Sequence, residues 1–586
     1  MRSNVCYPQK QLGKTDHMTP NTWEVAASHE ELVQDLMTAG GVTRPTALVL
    51  AARGITTDKV ECFLRPTLRS LTDPFDLPGT AAAAERLWQA INRGERIIVH
   101  GDYDTDGITA SVLLASVLRQ NGAEVTCYLP HRIDDGYGLT PDAIEMVCRE
   151  GYGLLVTVDC GITSFDAINL ARERGIGVIV TDHHVPGSEP PDAAAVVNPK
   201  LPGAPPETLD LAGVGVAFKA CHAFLKYGRE NGFGGQETDL RNGLDLVALG
   251  TVADIVPLLD ENRLLVKFGL DVLSKQQRPG IHALCEAAGA SLPIRSTDIT
   301  YRLAPRLNAA GRMGDPTESL KLLEASSMVE AAALARALDK HNRARQESEE
   351  KAVNAAEEQI AGRYNMDETR SVVVWSDVWH QGVVGIVASR LARRYHRPCV
   401  VLTRDTNGQL TGSARSVRRL DLVRLMEKCR SSLIRFGGHA MAAGLSLEAE
   451  NLEAFCESFE ESVAQVLGVE AMKPQIDICG ILGLEELTDV FFSELEMLEP
   501  FGHGNPEPVF VTHGVVAERA VLAGKSHTRG TVSDASGQRI SFIAFGRLPE
   551  EFPESPWSLV YSPQLNHYAG RTTPQLRIID VRASNA

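Results

Sequence analysis

Between about residues 80 and 181 the chain alternates helix-like segments with short β-branched runs, and no other feature constrains its fold as tightly. Helical AAAAERLWQAINRG precedes a strand from Arg96 to Val99, and ITASVLLASVLRQ precedes one from Val125 to Leu129. A strand from Leu154 to Val158, helical FDAINLARERG and a strand from Val178 to Thr181 follow. Strands separated by helices pair in parallel, so the pattern predicts an α/β, doubly wound sheet. Three of these strands end in acids or histidines. HGDYDTDG carries His100, Asp102, Asp104 and Asp106, VDCG carries Asp159, and TDHH carries Asp182, His183 and His184. Ligands bind at the carboxyl ends of strands in such sheets, so the three loops are expected to converge.

Mixed carboxylate and imidazole ligands suit Mn²⁺ or Mg²⁺. Two such ions about 3.5 to 4 Å apart can clamp a phosphoryl oxygen and activate water. Asp254, in LDLVALGTVADIVPL, is a carboxylate in an apolar segment and needs a partner or a metal there. Each feature alone has an ordinary explanation. DYDTDG reads as a solvated turn without a calcium loop's terminal Glu, the HH as a satisfied pair, and Asp254 as a helix residue bonded to backbone. Three strand ends of one sheet carrying metal-type residues together favour the metal reading. The eleven cysteines lack CxxC pairs, which signals neither a zinc module nor a disulfide framework, and Cys160 reads as structural.

Residues 1 to about 40 read as a loosely ordered lead-in within an N-terminal region 1–75 that becomes helical; the catalytic domain is assigned to 76–325. A Pro-free stretch from 328 to 364, polar on nearly every face around DKHNRARQESEEK, predicts a connecting helix (326–365). A second α/β domain (366–465) follows, with strands SVVVW and CVVLT around helical GIVASRLARRY. Short β-like runs between turn signals over 466–586 predict a small β-barrel. The formal charge of −17 argues against nucleic-acid binding by the whole surface but allows a local basic groove. Arg390 to Arg435 holds twelve basic residues against three acids, although a solvated helix face explains Arg393, Arg394 and Arg397 equally well. No apolar run is long enough to cross a bilayer and the polar start lacks a signal-peptide core, so a cytoplasmic protein without a membrane partner is expected.

In GSARS, Ser413 and Arg415 offer a hydroxyl and a bidentate fork suited to a terminal phosphate, and Gly412 allows close backbone approach. RLNAAGR presents Arg306, Asn308 and Arg312 in a Gly- and Ala-rich setting where a strand could lie close. Tyr137 could stack on a terminal sugar or sit in a core. Phe501, Phe542, Phe545 and Tyr568 could stack bases or fill the barrel.

HGDYDTDG, VDCG, TDHH and GTVADIVPL resemble the ordered motifs of the DHH phosphoesterase family. From about residue 45 onward, PHRIDDGYGL, VVNPK, LAGVGVAFK, RLAPRLNAAGRMGDP, WHQGVVGIVASRL, GSARS, FGGHAMAAG and PFGHGNPEP resemble its single-stranded-DNA-specific exonucleases. The resemblance implies a DHH domain, a long helix, a DHHA1 domain and an OB-fold. It implies two ions, Mn²⁺ or Mg²⁺, one on His100, Asp104 and Asp159 and the other on Asp106, Asp159, His183 and Asp254, with Asp159 bridging. His184 would face the scissile phosphate, Asp182 would orient a histidine, and Asp102 is left unassigned. Arg132, Ser413 and Arg415 would hold a DNA 5′ end and so set 5′ to 3′ polarity, with Tyr137, Arg306, Asn308, Arg312 and His439 as further substrate contacts. A role in DNA repair and recombination, with single-strand-binding protein and repair helicases as partners, is implied as well. Thr528 and Arg529 stand where relatives commonly have Leu and Lys, which leaves DNA contact in the last domain open. Two alternatives remain: a hydrolase of short oligonucleotides or cyclic dinucleotides, disfavoured by the barrel-like end, and a non-catalytic scaffold, disfavoured by the full set of ligands.

Overall fold

The computed structural model describes residues 21–584 except 28, 131–137, 236, 418–419, 469–472 and 569–570, and leaves the side chains of 567, 568 and 571 undescribed. Arg132, Tyr137, Arg418, Arg419 and the Tyr568 side chain therefore lie outside the described residues. The chain divides into two compact units. One holds the residues up to Leu71, Pro257–Lys267 and those from Pro474 onward; the other holds Thr72–Val256 and Phe268–Lys473.

The larger unit contains two sheets. The first has five parallel strands in the order Val125–Tyr128, Ile97–Gly101, Leu154–Val158, Gly177–Thr181, Ala195–Val197. Its central strands are buried throughout, as helices on both faces require. Numbered along the chain, the order is 2-1-3-4-5, and it reverses between Ile97–Gly101 and Leu154–Val158. A crevice opens at such a reversal, because the connections leave to opposite faces. The helix Leu244–Ala253, which leads to Asp254, is buried from Leu244 to Val252 and apolar around nearly its whole circumference, as a helix inside a large domain should be.

The second sheet orders its strands Arg435–His439, Ala442–Leu447, Leu410–Arg415, Cys399–Arg404, Val372–Ser376. Only the last pair is parallel, and Gln381–Tyr395 is the crossover helix between them. Helix Met328–Arg363 runs for 36 residues. The stretch 339–351, polar in sequence on nearly every face, still buries Asn342 and Arg345, which continue a buried stripe of Ala331, Ala335, Leu338, Ala352, Val353, Ala356 and Ile360 in the flanking turns. The polar middle of that stripe satisfies itself, since Arg345 donates to Asn342 Oδ1 at 3.0 Å and to Glu349 Oε2 at 2.7 Å.

In the smaller unit, strands Phe510–Ala523, His527–Ser533, Arg539–Ala544, Arg571–Ala583 and Trp557–Tyr568 form a closed barrel, the first pairing with the last. Val33, Leu36, Leu48, Leu50 and Phe63 share its core with Phe491, Phe510, Phe542, Trp557 and Tyr561. The reading of residues up to about 40 as loosely ordered is thus corrected at its described end, because Glu30–Gly40 is a helix whose buried Val33 and Leu36 join one apolar core with Leu48, Leu50 and Phe63 of the segments that follow and with the barrel.

Candidate metal centre

Strand register places the acids. His100 and Gly101 pair with Thr157 and Val158, so the segments that begin at Asp102 and Asp159 leave adjacent strands side by side at the reversal. Asp159 adopts φ +60°, a left-handed conformation that Asp tolerates better than most residues. Asp104 caps the helix Thr105–Gln120, accepting the amides of Asp106 at 2.9 Å and Gly107 at 3.2 Å. Asp106 is held in turn by the start of helix Gly213–Glu230, where the amides of Gly213 and Val214 donate to its two oxygens at 2.7 and 2.9 Å.

Among the described residues, three sets of side chains bring ligand atoms within 4.8 Å of one another: Asp159 with His183 and His184, Asp106 with His183 and Asp254, and Asp102 with Asp104 and Asp159. Asp159 and His183 each belong to two sets. Asp102, unassigned by the motif resemblance, thus stands among the candidate donors. His100 belongs to none of the three; its Nδ1 lies 3.7 Å from the buried Cys160 Sγ and its ring packs against Tyr128.

Burial, followed by the charge of Asp104, pushes the Asp106 carboxyl up to about 7; burial and the charge of Asp106 push Asp254 up to about 9 and Asp159 well above the carboxylate range. Burial, aided by the neighbouring His184, pulls His183 down to about 3. The approach of His183 Nε2 to Asp159 Oδ1 at 3.2 Å is therefore no ion pair, because the imidazole is neutral. Asp159 Oδ1 is buried and accepts no hydrogen bond among the described residues. Crowded carboxylates, a neutral imidazole and an unsatisfied buried oxygen together fit hard divalent cations.

Asp182 organises the two histidines. Its Oδ1 accepts the amides of His183 and His184 at 2.7 and 3.0 Å and the His184 Nδ1–H at 2.8 Å, while its Oδ2 accepts the Ile162 amide at 2.9 Å. Burial alone would lower the His184 pKa, but the hydrogen bond and charge of Asp182 outweigh it and raise it overall.

In the second α/β domain, register aligns His439 and Arg415 in one row, both opposite Ala442 on the strand between them. His439 stacks on His184 with ring centroids 6.3 Å apart. Arg415 donates to Ser413 Oγ at 2.6 Å and to Ser389 Oγ at 3.1 Å. A side chain at Gly412 would strike Val401 O at 2.0 Å, so the neighbouring strand is enough to require glycine there. Asn308 Oδ1 accepts the Thr105 amide and hydroxyl, both at 2.8 Å, and so braces the acidic loop. Arg312 donates to Gly382 O at 3.3 Å, and Arg306 pairs with Asp339 of the long helix.

Much of the basic run is committed elsewhere: Arg390, Arg394, Arg404, Arg424 and Arg430 pair with Glu349, Glu357, Asp377, Asp421 and Glu427. Arg397 donates to the carbonyl oxygens of Met366, Thr369 and Tyr395. In the barrel, Phe542 and Thr528 are buried, whereas Phe545 is exposed and meets His527 edge-on.

Three residues with a hand in the site carry no functional signal of their own in the sequence. A side chain at Gly213 would meet Asp159 Oδ1 at 2.5 Å. Asn198 donates to His184 O at 2.9 Å, and Lys200 donates through Nζ to His183 O. All three lie in LAGVGVAFK and VVNPK, legible as motifs but not as contacts.

Residues 96–251 match the DHH family N-terminal domain, 368–465 the DHHA1 domain and 478–580 the RecJ OB domain. The chain is 37% identical over 570 residues to the single-stranded-DNA-specific exonuclease RecJ of Bacillus subtilis, covering 96% of this chain and 71% of that one. It is 37% identical over 523 residues to RecJ of Escherichia coli, covering 86% of this chain and 90% of that one. A crystal structure of Thermus thermophilus RecJ in complex with Mn²⁺ superposes with a TM-score of 0.82 at 30% identity, covering 96% of this chain and 80% of that one. The same protein in complex with Mg²⁺ gives 0.75 at 28% identity, covering 96% and 79%.

Proposed function

This chain belongs to the RecJ family, and from that membership and the acidic cluster we propose that it is a metal-dependent, single-stranded-DNA-specific exonuclease that hydrolyses phosphodiester bonds from the 5′ end. The observation that carries the reading is the convergence of Asp104, Asp106, Asp159, His183 and Asp254, from four separate chain segments, into sets of mutually close ligand atoms.

His100, Asp104 and Asp159 would hold one divalent cation and Asp106, Asp159, His183 and Asp254 a second, with Asp102 available beside the first. Bound Mn²⁺ or Mg²⁺ supplies charge stabilisation at the phosphate and activation of water. His184 gives its Nδ1–H to Asp182, which leaves Nε2 to donate to a non-bridging phosphate oxygen. The raised pKa of His184 favours the protonated, donating form, and no covalent enzyme intermediate is required. Ser413 and Arg415, preorganised by their own hydrogen bond, grip the terminal phosphate and fix the direction of approach. His439, opposite His184, lines the same passage, which admits a single strand between the two α/β domains. The barrel's exposed Phe545 provides a face for a base.

A role in DNA repair and recombination, in the cytoplasm and with single-strand-binding protein and repair helicases as partners, belongs to the same proposal. Among the described residues no helix is long and apolar enough to cross a membrane. The test is a Mn²⁺ and Mg²⁺ titration on oligonucleotides labelled at either end, single-stranded and as blunt duplex. Mononucleotides released first from the 5′ end of single strands are expected. Release from the 3′ end, or equal rates on duplex, would overturn polarity or strand selectivity.

A further inference from the structure

The Asp182–His183–His184 loop is held from two sides. Asp182 takes the amide hydrogens of both histidines, as described above. Their carbonyl oxygens are taken by a different segment, Asn198 to Lys200, which leaves the edge strand Ala195–Val197. Asn198 is fully buried. Its side-chain N–H donates to His184 O at 2.9 Å, and its Oδ1 accepts the Lys200 amide at 2.8 Å. That second bond closes an Asx turn around Pro199, whose ring restricts φ. The turn directs Lys200 back so that Nζ donates to His183 O. Val197 O also accepts the Asp182 amide at 3.0 Å, so the strand and the turn after it hold a backbone group of each of three consecutive residues.

This grip bears on geometry. The His183 and His184 rings stand 4.5 Å apart at 67°, which sends one imidazole toward Asp159 and Asp254 and leaves the other against Asp182 and His439. Holding both ends of the peptide between the two residues holds the directions in which their rings leave the backbone. Lys200 Nζ, half-buried, also sets a positive charge within range of Asp182, Asp210 and Asp254, where acids predominate.

We propose that Asn198 and Lys200 are positioning residues for the histidine pair: by holding the carbonyls of His184 and His183 they set the angle at which one imidazole meets the cation and the other the scissile phosphate. The inference deepens the functional reading given above and rests on it.

The experiment compares wild type with Lys200→Met, Lys200→Arg and Asn198→Asp. Mn²⁺ binding without DNA, kcat and KM on a single-stranded oligonucleotide, and thermal unfolding are measured for each. Lys200→Met keeps the stem and loses the donor, Lys200→Arg keeps a donor, and Asn198→Asp keeps the Asx turn but turns a carboxylate on His184 O. Hydrogen-bond partners behind metal ligands typically contribute about 10- to 100-fold to affinity or activity, and losses of that size in kcat and Mn²⁺ affinity are expected for Lys200→Met and Asn198→Asp. For Lys200→Met, KM and unfolding temperature should change little, Asn198→Asp should also lower the unfolding temperature because its carboxylate is buried against a carbonyl oxygen, and Lys200→Arg should recover most of the loss. Wild-type binding and turnover in Lys200→Met and Asn198→Asp would overturn the clamp while leaving the nuclease reading intact. A loss in Lys200→Arg as large as in Lys200→Met would overturn it too. Failure of wild type itself to bind Mn²⁺ or cleave would overturn both.

Discussion

His184, at the end of a parallel strand in the catalytic domain, and His439, at the end of an antiparallel strand in the DHHA1 domain, stack with centroids 6.3 Å apart and planes 20° from parallel. The two rings carry different protonation tendencies. Asp182 raises the pKa of His184 against the effect of burial, while burial, then the charges of His184 and Lys200, lower that of His439. One proton donor thus faces one neutral imidazole across the passage proposed for the strand.

Asp159→Ala and Asp159→Asn should both abolish hydrolysis, by well over 100-fold if outer partners alone contribute that much, while leaving single-strand binding largely intact. The left-handed backbone at residue 159 separates the two variants. Asn tolerates it and Ala does not, so the Ala variant should be about 1 kcal/mol less stable than the Asn variant in chemical denaturation. Near-normal turnover in either would refute the bridging role.

Gly213→Ala tests a contact between backbone and site. A methyl group there would lie 2.5 Å from Asp159 Oδ1 and 2.6 Å from its Cγ, so the carboxylate must move. Ala is otherwise welcome in a helix, and the unfolding temperature should hold. Steady-state kinetics should show a loss of roughly 10-fold or more in kcat, in line with other disturbances of ligand support.

Metal removal should destabilise the protein in a pH-dependent way. In the metal-free protein Asp106, Asp159 and Asp254 all titrate above their unfolded values near 4, with Asp106 at about 7 and Asp254 at about 9. Carboxyls raised in this way contribute most below pH 4, and the contribution is lost as pH rises through the folded values. The gap in unfolding temperature between Mn²⁺-loaded and chelated protein should therefore widen from pH 5 to pH 9. Calorimetry showing a constant gap would contradict the assignment of these three acids as ligands.

Arg415→Ala should raise KM for 5′-phosphorylated strands by about 10-fold or more, since a charged hydrogen bond contributes roughly 1.5 to 3 kcal/mol. Strands with a 5′-hydroxyl should be affected much less. Equal effects on both would remove the phosphate-pocket reading.

Two barrel phenylalanines should separate stability from binding. Phe542→Ala empties a fully buried site and should lower the stability of its unit by about 3 to 5 kcal/mol. Phe545→Ala removes an exposed ring and should leave unfolding unchanged. It should weaken binding of long single strands by about 1 to 3 kcal/mol in fluorescence anisotropy if a base stacks there.

Four strands of the catalytic sheet were legible because strand and helix periodicities are local properties: Leu154–Val158 was bounded correctly and three others to within two residues, while the three-residue edge strand Ala195–Val197 is too short to show a period. The acids were legible as candidates because they follow directly on those strands. Their grouping was not, since whether Asp102 or His100 stands nearest Asp104 and Asp159 depends on side-chain directions set by register and packing. Glycine roles were equally hidden: Gly213 and Gly412 look alike in the sequence, yet one makes room for a carboxylate and the other for a neighbouring strand. Helix Glu30–Gly40 escaped because it buries only Val33, Leu36 and Gly40, too few apolar positions to show a clear period along the chain. What the sequence determined alone was periodicity and chemical inventory, because both depend on neighbours along the chain. Tertiary structure decided which residues meet, as with Asn198 and Lys200 behind His184 and His183, because hydrogen bonds and burial act across space irrespective of separation along the chain.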